Sequence, residues 1–172
     1  MFNFFKNKKQ SEQDLINQVV GGQSILFRIF REIFKENPEE VQKIELTYFA
    51  LSVFTYTFLR LSSHTEEEKG IITNRVADAV LWKSIPHADK KISMDDAING
   101  YQRRYREYNS LINGILKEDG IDGESCTTLT MHVYESVMGK SAQTKMIEIT
   151  AASSLMAQYI FDHIEFIKEK KL

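Results

Sequence analysis

The stretch from Leu46 to Leu59 constrains this chain more than any other. It holds fourteen consecutive residues without a charge, and its large side chains recur on every side: Tyr48, Phe49, Leu51, Val53, Phe54, Tyr56, Phe58 and Leu59. A helix that is apolar all round has to be surrounded by protein. The stretch is too short to cross a bilayer, which takes about 20 apolar residues. Thr, Val, Tyr and Phe also suit strands, so the start signal decides. Asn37 suits an N-cap, Pro38 the first helical position, and Glu39 and Glu40 the positive end of a helix dipole. The expectation is a central buried helix near residues 38–62.

The other segments must cover that helix. With two prolines and eight glycines in 172 residues, breaks are few and the elements are long. Residues 11–35 carry Leu15, Val19, Leu26, Ile29 and Ile33 on one helical stripe. Gly21 and Gly22 interrupt it. Two adjacent glycines cost a helix roughly 2 kcal/mol relative to alanine, so a break between two helices is expected there. Thr65-Glu66-Glu67-Glu68 reads as a capping box, followed by Ile72, Val76, Ala79 and Val80, with an end before Pro86. From Ser93 to Lys117, Met94, Ile98, Tyr101, Tyr105, Tyr108, Ile112 and Ile115 alternate at spacings of four and three, the seam of helix-on-helix packing. Cys126, Leu129, Val133 and Val137 form the inner row of the next helix, which Gly139 closes. The last begins near Ser141, with Ile149, Ser153, Met156, Ile160, His163 and Ile167 inward. The fold class expected is all-α: a single-domain antiparallel bundle of about six helices over residues 1–172, with residues 1–10 able to remain disordered.

Charge and cysteine usage exclude several functions. Twenty-two basic against 24 acidic residues lack the basic excess of a general nucleic-acid binder. Cys126, the single cysteine, permits no internal disulfide and no zinc site with two thiolates. The start, Met1-Phe2-Asn3-Phe4-Phe5-Lys6, puts aromatic residues before positive charge, the reverse of a signal peptide. The expected localisation is cytoplasmic.

Catalytic and metal signatures fail one by one. A di-iron bundle needs Glu three residues before an inward His; the positions before His64, His87, His132 and His163 are Leu61, Ser84, Leu129 and Ile160. Cys126 and His132 lie six apart on one helix and face different sides. The acidic turn Glu118–Glu124 puts Gly120 and Leu129 where a calcium loop needs oxygen ligands. No catalytic residue, cofactor or metal is expected, and the reading leans away from an enzyme.

Three functional expectations remain. The first is a protein-interaction module, acting as a homodimer or on another protein through an exposed apolar helix face of the first or last segment. The second is a small-ligand binder, or an enzyme, with a bundle pocket lined by His163, Tyr101, Tyr105, Tyr108, Arg104 and Tyr159. A histidine amid an apolar stripe and seven tyrosines in a helical chain bring polar atoms that need partners. The third is weak membrane-surface contact through Phe2, Phe4 and Phe5 with Lys6, Lys8 and Lys9.

Overall fold

A computed structural model describes residues 2–37, 39, 41–88, 91–117 and 120–170, with backbone alone for 2–11, 116–117 and 120–121. Among these residues there are six α-helices: α1 (Phe2–Glu32), α2 (Lys43–Leu61), α3 (Glu66–Ser84), α4 (Met94–Ile115), α5 (Gly123–Met138) and α6 (Met146–Glu169). Single 3-10 turns at Ile85–His87 and Gln143–Lys145 precede α4 and α6. Between α4 and α5 a two-residue antiparallel ribbon pairs Leu116 with Ile121 and Lys117 with Gly120.

The centre is α2, which packs against each of the other five helices. Burial is unbroken from Glu45 to Phe58, as its uncharged stretch requires. Its start differs from the expectation. The Asn37 side chain accepts from the Glu39 amide at 3.2 Å, which closes a local turn, while Pro38 and Glu40 lie outside the described residues. The helix begins only at Lys43, with Gln42 as N-cap and no side-chain capping bond. Gln42 is instead held by its own amide, which donates to the Val137 carbonyl at 3.2 Å. Packing onto α5 sets this terminus, where a local cap was expected.

The second correction concerns α1, which runs unbroken through Gly21 and Gly22. A tertiary contact overrides the local cost. The Tyr159 ring lies against Gly22 so closely that an added Cβ would come 2.8 Å from its Cε2. Gly22 thus admits the α6 ring at a place where α1 could accept no side chain.

The other boundaries follow local chemistry. Thr65 and Glu68 form the reciprocal capping box of α3. Ser93 caps α4 by accepting from the Asp96 amide at 3.1 Å. Asp122 caps α5 by accepting from the Ser125 amide at 2.9 Å. Gly139 ends α5 in the left-handed conformation, φ 64°, which costs glycine little. The buried Lys69 of α3 reaches back to the Leu59 carbonyl at 3.0 Å and satisfies the end of α2.

Candidate functional site

The inner row of α6 brings His163 and Tyr159 together at the junction of α1, α2 and α6. Their rings meet edge to face at 4.6 Å, and Phe49 of α2 lies 6.1 Å from Tyr159. His163 Nδ1 stands 3.1 Å from the Tyr159 carbonyl. A carbonyl only accepts, so the proton sits on Nδ1 and Nε2 carries a lone pair. Among the described residues neither His163 Nε2 nor the Tyr159 hydroxyl has a hydrogen-bond partner, and both atoms are buried. Burial pushes the His163 pKa down to about 4 and the Tyr159 phenol well up, since a low-dielectric interior disfavours charge.

The remaining predicted site residues go elsewhere. Tyr101 hydrogen-bonds Thr55 of α2 at 2.7 Å. Tyr108 sits beside Phe49 at 5.1 Å and His132 at 5.5 Å. Tyr105 lines a shallow polar cleft of about 490 Å³ with Tyr56, Arg60 and Asn113. Tyr159 forms part of another, of about 300 Å³, between α1 and α6. The six residues are therefore distributed over several helix contacts and do not share one chamber. Other tyrosines meet partners across the bundle: Tyr56 donates to Asn113 at 3.0 Å and Tyr134 to Glu36 at 2.6 Å.

Arg104 is the centre of a charged chain. It donates to both oxygens of Glu45, at 2.7 and 3.2 Å, and to Glu107 at 2.7 Å. Glu107 in turn lies 3.4 Å from His132 Nε2. Burial opposes the Arg104 charge, but the bonds to Glu45 and Glu107 outweigh it and raise its pKa. A second chain centres on Glu36. The buried carboxylate of Glu36 takes Tyr134, Lys140 at 2.9 Å and, more loosely, Lys145 at 3.5 Å. Burial opposes its charge too, yet the bonds from Tyr134 and Lys140 hold its pKa below the usual carboxylate value. Glu36 lies between helices, so no periodic pattern marks it, and its partners are some hundred residues away in the chain. Both chains join helices, and every acid in them is already matched by a cation or a donor.

Cys126 and His132 point to different neighbours. The thiol donates to the Ser153 carbonyl at 3.1 Å, and burial raises its pKa. Among the described residues no cluster of His, Cys, Asp or Glu is arranged to hold a metal ion, and no helix is long and apolar enough to cross a membrane. The side chains of Phe2, Phe4 and Phe5, on which the membrane-contact expectation rests, lie outside the described residues.

On the outer side of α6, the last segment, several large apolar residues are exposed that the sequence reading does not name. Ile147 is 86% exposed, and Leu155 and Phe161 are each 43% exposed. Ile147, Ala151, Ser154, Gln158 and Phe161 recur at spacings of four and three, and all are exposed. That spacing was available in the sequence; the stronger inner row masked it. Beyond the helix, Ile25 of α1 is 44% exposed. The 300 Å³ cleft between the two helices is floored by Ile29, Ile33 and Tyr159 and rimmed by Arg28, Glu32 and Asp162.

No family model, curated protein or solved structure matches this chain.

Proposed function

We propose that this chain is a non-catalytic interaction module that pairs with a second copy of itself through the outer side of α6 and the adjoining edge of α1. The observation that carries the reading is the exposure of Leu155 of α6 and Ile25 of α1 at one cleft, with Ile147 and Phe161 exposed along the same outer side of α6. Large apolar side chains left exposed on adjoining helices gain free energy when another protein covers them.

A second copy is favoured by the rim. Arg28 stands at the same edge as Glu32 and Asp162. A twofold contact sets the same patch against itself, so it needs both signs of charge on one rim. Light scattering after size exclusion, over a range of concentrations, tests the reading. The expected mass is twice the 20.0 kDa of one chain, falling to that of one chain when Ile147 and Leu155 are both replaced by glutamate. A single-chain mass at every concentration overturns it.

A further inference from the structure

The outward side of α3 holds a second set of exposed large side chains. Trp82, the only tryptophan of the chain, is 71% exposed, and a ring of that size is more often covered. Ile71, near the other end of the helix, is exposed as well. Between them stand Arg75 and Asp78, both exposed. The positions follow one another at spacings of four, three and four, so the side chains form one stripe along the helix. Ile72, Val76 and Val80 hold the inward side in the core.

The stripe has the same order from either end: apolar, charged, charged, apolar, with opposite charges in the middle. A second copy set antiparallel about a twofold axis midway between residues 76 and 77 brings Ile71 to Trp82 and Arg75 to Asp78, each contact occurring twice. The flanking charges favour the same orientation. Glu67 precedes the stripe and Lys83 follows it. Both are exposed, and among the described residues neither they nor Asp78 have an ion pair. Antiparallel pairing sets the acidic start of one helix beside the lysine at the end of the other. Parallel pairing would oppose arginine to arginine and aspartate to aspartate. Arg75 donates through one guanidinium nitrogen to Glu12 of α1 at 3.1 Å, which leaves its other donors for a second copy.

From this charge order we propose that the outward stripe of α3 is a second self-contact of the chain, in which Trp82 packs on Ile71 of an antiparallel copy and Arg75 pairs with its Asp78. One helix stripe is small beside the roughly 20–30 residues a side of a stable interface, so its dissociation constant is on the order of 0.1–1 mM. At micromolar concentration the mass is therefore set by the α6 surface. The two surfaces are independent, because α1 stands between them. Its Ile25 and Arg28 line the cleft toward α6, and its Val20, Gln23 and Phe27 line another, of about 410 Å³, toward α2 and the end of α3. Where both contacts form, pairs are linked into tetramers or longer rows.

The test uses the Ile147→Glu/Leu155→Glu variant, in which the α6 surface is removed, so that the two readings fail separately. Sedimentation equilibrium from about 10 µM to 1 mM should show a mass rising from 20.0 kDa toward twice that value. Trp82 emission reads this face directly and should move to the blue over the same range, in the variant and in the unsubstituted chain. Arg75→Asp and Asp78→Arg should each weaken the association about tenfold or more, since each sets like charges together. An equal mixture of the two charge variants should recover it, because one copy then brings two acids and the other two bases. A single-chain mass at every concentration overturns the proposal. So does a rise in mass without a shift of Trp82 emission, full association of either charge variant, or a mixture no stronger than its components.

Discussion

Gly21 and Gly22 are chemically identical neighbours in opposite surroundings. An added Cβ at Gly21 meets nothing within 4 Å, whereas at Gly22 it runs into the Tyr159 ring. Gly21→Ala should therefore stabilise the protein by up to about 1 kcal/mol, through the helix preference of alanine alone. Gly22→Ala gains the same preference but overpacks a buried ring, so a net loss of about 1–2 kcal/mol is expected. Urea unfolding of the two variants reads both signs. Equal effects would mean that Tyr159 does not rest on α1. The same logic holds at Gly100 of α4, where a Cβ would meet the Tyr48 ring at 2.9 Å. Burial beside that glycine is the main cause of the Tyr48 phenol's rise to about 12. In each case a tyrosine on one helix occupies the space left by a glycine on another. The sequence shows that the glycine is small; it does not show which ring it admits.

At the scale of elements, α2 and α4 are joined by more than apolar contact. Glu45 lies in the first turn of α2, and its side chain is only 10% exposed; that of Arg104, on α4, is 18% exposed. Breaking one side of a nearly buried pair leaves a charge without compensation. Arg104→Met should cost about 2–3 kcal/mol, and adding Glu45→Met should restore most of it. A double-mutant cycle in urea measures the coupling; simple additivity would show that the pair contributes nothing beyond its separate contacts. The helices themselves were legible: the spacing of α4, the capping box of α3, the left-handed close of α5 and the buried run of α2 all follow from local pattern. The start of α2 was not, because local chemistry points to Asn37 as the cap, whereas the Gln42 amide is held by Val137 of another helix.

For the whole molecule, acid should act in two stages. His163 has a folded pKa near 4, depressed by burial from its ordinary 6.5. The unfolded chain therefore takes up this proton first, and stability falls as pH drops from about 6.5 to 4, by about 3 kcal/mol. Glu36 and Glu107 have depressed carboxyl pKa values, so their contribution is intact above the unfolded value and is lost as pH falls below about 4.5. His163→Leu should flatten the first stage and leave the second, while remaining neutral or stabilising at pH 7, since it removes an unpaired buried nitrogen. Denaturant midpoints across this pH range provide the check, and an unchanged slope between pH 6.5 and 4.5 would place the titration elsewhere.

By itself the sequence determined the all-helical class, the identity of the central helix and nearly every inner row. Those properties depend on periodicity and capping among residues close together in the chain. Tertiary structure alone decided that α1 continues through two glycines, that Glu36 is clamped by Tyr134 and Lys140, that the predicted tyrosines disperse, and that two clefts open on opposite sides of α1. Each of these depends on which surfaces meet across the bundle, and a contact between residues far apart in the chain leaves no periodic trace in either partner.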